Sequence, residues 1–304
     1  KTTRNSLILL LTATIWGMAF VSQSKGMDYM HPFTFNGVRS LIGAAGILVY
    51  ILISRKITGD KAAKLDWKRN VRAGLLCGIF LTIASTLQQF GIKYTSVGKA
   101  GFITTLYIIF VPMFGIFLKK KVAPVVWAAA SMAAVGMYLL CMTESLRLGA
   151  GDIMVFLCAI AFAIQIMTVD HYAARIDGAV VSCIQFTVCG VVCCIGALIW
   201  GQPTFGQIQE GLGALLYAGV LSCGVGYTLQ IVGQKGLNPT VAALIMSLES
   251  VIATISGWIA YKIGFLSTDQ TLTPRQIAGC VIVFAAVILV QLPPEWFRFG
   301  KKNA

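Results

Sequence analysis

Ten apolar runs, each close to the ~20 residues that a membrane-crossing helix needs, follow one another with short polar joints between them. They fall at residues 5–24, 33–53, 70–91, 97–118, 122–142, 150–170, 179–200, 209–233, 239–260 and 274–292. A lipid-exposed backbone must satisfy its own hydrogen bonds, so such runs are helices. The chain is 57% hydrophobic and 12% charged over 304 residues, more apolar side chain than a soluble fold has interior to hide. The expected fold is an all-α integral membrane protein with ten transmembrane helices. Pro32, Pro124, Pro239 and Pro274 each stand at an expected helix start, where a missing N–H costs nothing. The joint at 54–69 is the longest and most charged. No cleavable signal peptide is expected, because the first run is long enough to span and many more follow.

The net charge of +13 does not call for a nucleic-acid partner. Lys and Arg sit in the joints, where they set orientation. With the N-terminus in the cytoplasm, the inner segments hold seventeen Lys and Arg and the outer joints six. The bias predicts both termini inside, in a prokaryotic plasma (inner) membrane, and an even number of spans. The nine cysteines have neither zinc-ligand spacing nor a secreted disulfide pattern. His31 and His171 are far apart with no third ligand at suitable spacing. No metal or other cofactor is expected.

The chain also repeats itself. Leu87 to Gly115 aligns with Leu229 to Gly257 at a shift of 142, with eight identities and no gap. Among them Gln88 meets Gln230, Lys93 meets Lys235 and Leu106 meets Leu248. Pro124 and Ala128 meet Pro274 and Ala278 at a shift of 150. Five spans separate equivalent points, so the halves 1–145 and 146–304 are expected as two inverted five-helix repeats. That architecture is characteristic of secondary transporters, which bind substrate near the midplane between the halves. Small residues four apart, Gly74 with Gly78 and Ala253 with Gly257, mark close helix packing. Gly219, Gly224 and Gly226 give the eighth run a thin or bendable section.

Several motifs resemble the EamA family of the drug/metabolite transporter superfamily. Span 1 carries Trp16-Gly17-Met18-Ala19-Phe20, Pro32 opens span 2, and Arg39 follows seven residues later. Tyr94-Thr95-Ser96, then Gly98 to Thr104, and Pro112 mark the joint into span 4. Asn238-Pro239 and Ser247 to Ser250 match the corresponding second-half joint and helix. The resemblance covers nearly the whole chain. It implies ten helices in two inverted repeats, and export or exchange of small metabolites through a central cavity. Many members end span 9 with Leu-Gly-Glu; here Tyr261 to Phe265 stand instead, and no role passes to that glutamate.

Glu249 is the only acidic side chain in the middle of any run. Exposing it to lipid costs ~2.5–3.5 kcal/mol or more, so it is expected to face the bundle interior, either lining a cavity or bonding to a neighbouring helix. The shift of 142 sets Tyr107 opposite Glu249, and both are expected to line one central cavity. Gln88 and Gln230 are gates or interhelical bonds, and Trp16 either stacks on substrate or fills the core. Arg39 lies deep enough to need a partner, with Asp28 and Glu249 conceivable, or else binds an anionic substrate group. Lys99 meets a substrate carboxylate at the outer mouth or snorkels.

The leading function is a secondary transporter, an exporter of small amphipathic metabolites such as amino acids, working by alternating access. No nucleotide-binding motif is present, so a gradient supplies the energy, with Glu249 the candidate proton carrier. The partners expected are a small-molecule substrate, protons and membrane lipid. A lipid or lipid-linked metabolite flippase is the alternative. An enzyme would need a catalytic cluster, and the chain has no His-Glu-x-x-His or comparable set.

Overall fold

A computed structural model describes residues 2–58, 66–118, 123–141, 149–267 and 270–291. Part of the charged joint at 54–69 and the expected boundary between the halves at 145/146 lie outside the described residues.

The described secondary structure is helical throughout. The first half contains α1 (Thr2–Gly26), α2 (Pro32–Thr58), α3 (Trp67–Ile92), α4 (Val97–Thr105), α5 (Tyr107–Phe117) and α6 (Pro124–Cys141). The second contains α7 (Ala150–Tyr172), α8 (Gly178–Gly196), α9 (Phe205–Glu210), α10 (Leu212–Leu216), α11 (Tyr227–Gln234), α12 (Pro239–Met246), α13 (Leu248–Lys262) and α14 (Pro274–Gln291). Pro32, Pro124, Pro239 and Pro274 each open a helix.

Among the described residues, eight helical segments are long and apolar enough to cross a membrane, and Pro124–Gly136 and Pro274–Leu289 are shorter apolar helices. The ten expected spans therefore divide into eight of crossing length and two shorter ones. Two of the eight are broken helices. The chain from Val97 to Phe117 is interrupted at Leu106, and that from Pro239 to Lys262 at Ser247. The section Tyr217–Gly226, holding Gly219, Gly224 and Gly226, winds as a wide π-helix between α10 and α11. Such widened turns are rare and concentrate at functional sites.

Packing runs mostly between halves. α2 lies against α8, α6 against α14, and α3 against both α7 and α8. Correspondingly, α1 lies against α11 and α13, and α2 against the π-helical section. Gly74 and Gly78 bring α3 onto α8, where a methyl group would collide with Ile184 and Val188. Two short joints between helices are pinned by polar contacts. Asn5 Nδ2 donates to Lys235 O at 2.6 Å, and Asp177 N–H donates to Asn70 Oδ1 at 2.8 Å.

Candidate functional site

The two helix breaks are built alike. Leu106 and Ser247 have ψ of −10° and −15°, well short of the ordinary helical value near −42°. Each break tightens the backbone to i→i+3 spacing, with Ile109 N–H on Leu106 O and Ser250 N–H on Ser247 O. A buried hydroxyl bonds back beside each break. Thr105 Oγ1 donates to Phe102 O at 2.8 Å and Ser247 Oγ to Leu244 O at 2.7 Å. Thr105 and Ser247 are themselves 142 apart. Such back-bonding competes with the helix ladder and bends it.

Tyr107 follows its break directly, and Glu249 lies two residues beyond its own. The Tyr107 hydroxyl donates to Glu249 Oε1 at 3.0 Å, and the residues are 2% and 4% exposed. The two were expected on opposite walls of one cavity; they touch directly across its lining. Both border a central cavity with about 470 Å³ of space between protein atoms, part of it open to the outside.

The same cavity is bordered by Trp16, Arg39, Gln88 and Gln230. Trp16 packs on Tyr227 with ring centroids 4.5 Å apart, and its indole N–H donates to Ser222 O at 3.4 Å. Gly226 makes room for that indole, since a β-carbon there would lie 2.6 Å from Trp16 Nε1. Gly17 does the same for backbone. A β-carbon would sit 2.7 Å from Glu249 O and 2.6 Å from Ile252 Cβ, so the Trp-Gly pair lets α1 lie directly on α13.

Arg39 is buried at the cavity wall on α2, with its guanidinium over the Phe35 ring at 5.5 Å. Neither conceivable partner pairs with it. Asp28 pairs with Lys25 at 3.0 Å, and no described carboxylate lies within ion-pair distance of Arg39. Its buried Nε has no hydrogen-bond partner among the described residues. Lys99 does not border the cavity. Its ammonium pairs with Asp152 at 2.6 Å, where Asp152 also accepts from Thr95 Oγ1 at 2.9 Å and Gly149 N–H at 2.8 Å. The Asp152 carboxylate meets the Lys99 charge.

Several lining residues are not evident from single motifs. Phe20, Gln23, Phe162 and Gln165 all border the cavity. They form one motif, Ala19-Phe20-x-x-Gln23 and Ala161-Phe162-x-x-Gln165, at the same shift of 142. Extending the repeat to α1 and α7 would have found them. Tyr227 is not evident from them either. Its counterpart at that shift is Ser85, so the repeat carries no signal for it. Among the described residues no group of three or more His, Cys, Asp or Glu is arranged to hold a metal.

Comparison with known proteins agrees with this architecture. The model of the EamA-like transporter family matches residues 4–142 and 149–292. An uncharacterized transporter of Archaeoglobus fulgidus is 27% identical over 290 residues, covering 93% of this chain and 84% of that protein. The uncharacterized transporter YwfM of Bacillus subtilis is 24% identical over 295 residues, covering 95% of this chain and 94% of that protein. One crystal structure shares the fold with a TM-score of 0.74 at 16% identity, covering 98% of this chain and 99% of that one. With its long apolar helices, the chain is an integral membrane protein and belongs to the EamA-like transporter family.

Proposed function

We propose that the protein is a secondary transporter that exports small amphipathic metabolites, such as amino acids, through the central cavity by alternating access. The observation that carries this reading is the Tyr107–Glu249 contact at the cavity, made by residues 142 apart just beyond two matching helix breaks. Broken helices at the midplane between repeats are how such transporters build substrate sites.

The wider architecture in this reading is ten helices in two inverted repeats, 1–145 and 146–304. The two separate family matches support it, as does the reciprocal packing of α3 on α7 and of α1 on α11. The charge bias supports both termini in the cytoplasm, in a prokaryotic inner membrane.

The cavity offers three kinds of contact. Aromatic faces of Trp16 and Tyr227 suit an apolar group. Arg39, lacking a carboxylate partner among the described residues, suits an anionic group. Glu249 accepts either a proton or an N–H donor, and Tyr107 holds it in place. Proton binding at Glu249 couples export to the proton gradient in this account.

A thermal-shift screen of the purified protein against amino acids, nucleosides and organic cations tests the reading, since a ligand that binds the folded state raises its apparent stability. An amphipathic compound should stabilise the wild type and lose that effect in Arg39→Gln or Glu249→Gln. Stabilisation by lipids alone, or by a compound indifferent to both substitutions, would overturn it.

A further inference from the structure

Two amide pairs occupy equivalent places in the two halves. Gln23 and Gln88 become Gln165 and Gln230 at the shift of 142, and all four border the cavity. Their bonding differs. Gln165 and Gln230 are joined by reciprocal bonds, Nε2 to Oε1 at 3.5 Å one way and 3.2 Å the other. Gln88 Nε2 instead donates to Thr104 Oγ1 at 3.2 Å. Gln23 Oε1 is buried and accepts no hydrogen bond among the described residues.

The sequence accounts for the difference. At the same shift Thr104 becomes Met246, whose thioether is a poor acceptor. The first pair therefore has a competitor that can hold it apart, and the second has none at that position. A buried amide oxygen left without a donor is costly. The first half consequently holds an unspent bond that a different arrangement of α1 and α3 would make.

We propose that the two pairs are alternating latches that position the halves. In this state Gln165–Gln230 is closed and Gln23–Gln88 is open. In the opposite state Gln88 leaves Thr104 and closes on Gln23 while Gln165 and Gln230 part. Each state satisfies one pair at the other's expense, which keeps the two close in free energy, as a two-state element requires. The parted amides face the cavity, so the open end is also the one that presents polar groups to an entering molecule. The proposal rests on the alternating-access reading.

The test is hydrogen exchange on the purified full chain, read at two matching joints. Residues 93–96 follow Gln88 between α3 and α4, and residues 235–238 follow Gln230 between α11 and α12. Thr104→Val frees Gln88, and Gln230→Leu unlocks the second pair. Both should raise exchange severalfold at 235–238 and lower it at 93–96. Gln88→Leu removes the first latch and should move both joints the other way. Thr104→Val is isosteric, so it decides the matter alone if a leucine variant fails to fold. Unchanged exchange at both joints would overturn the latch and leave alternating access standing. Joints that loosen together in every variant would overturn alternating access itself.

Discussion

The Tyr107 hydroxyl donates to Glu249 Oε1 at 3.0 Å across 142 residues of chain. Each residue sits in the turn that follows a helix break, so two irregular backbones and one hydrogen bond meet at the cavity. Tyr107→Phe keeps the ring and removes the donor. It leaves a carboxylate oxygen buried without that partner, at a cost of ~1–3 kcal/mol. The apparent melting temperature should fall in Tyr107→Phe and recover partly in Tyr107→Phe/Glu249→Gln, measured by thermal unfolding in detergent.

Gly17 sets how closely α1 approaches α13. In Gly17→Ala the new methyl group meets Ile252 Cβ and Glu249 O at under 3 Å, and neither can rotate away, since one is a β-carbon fixed to its helix and the other is backbone. Overpacking of this kind costs ~1–3 kcal/mol. Glu249 would move with α13, so substrate transport should fall more than stability does. Flux per folded molecule, compared with the melting temperature, checks this.

The Lys99–Asp152 pair should behave unequally when its members are removed. Asp152 has 4% of its side chain exposed, against 20% for Lys99. Lys99→Met leaves a buried carboxylate without its cation, a loss of ~3–5 kcal/mol for a buried pair. Asp152→Asn is milder, because the Lys99 ammonium can extend toward water. A double-mutant cycle read by thermal unfolding should show Lys99→Met/Asp152→Asn to be more stable than Lys99→Met alone.

His31 lies in the joint before α2, where its Nδ1 accepts the Phe33 N–H at 3.4 Å. Burial, and then the nearby Lys93 charge, lower its pKa from the ordinary 6.5. The unfolded chain therefore binds the proton first as pH falls. His31 contributes full stability above pH 6.5, and that contribution declines as pH drops through 6.5 toward the lowered folded value. Melting curves between pH 8 and 5 should show a smaller acid-side loss in His31→Gln than in the wild type.

Much of this structure is legible in the sequence because few physical rules govern it. Four prolines mark four helix starts because only there does the missing N–H cost nothing. The shift of 142 brings Tyr107 and Glu249 to equivalent positions before any coordinates exist. What was not legible is equally specific. The breaks at Leu106 and Ser247 carry no Gly or Pro of their own. Back-bonding hydroxyls accompany them at Thr105 and Ser247, which a hydropathy pattern does not register. Lys99 could not be assigned because Asp152 lies 53 residues away, at the start of another helix. That Arg39 has no carboxylate partner among the described residues is a fact of packing among several helices, and neighbouring sequence cannot foretell it.

Proton-coupled flux through Glu249 is the central claim. The compound that stabilises the wild-type protein should be followed in proteoliposomes, with an imposed pH gradient, for the wild type and Glu249→Gln. The account predicts gradient-driven transport in the wild type, and in Glu249→Gln either downhill flux indifferent to pH or none. Gradient-driven transport by Glu249→Gln equal to that of the wild type would contradict it.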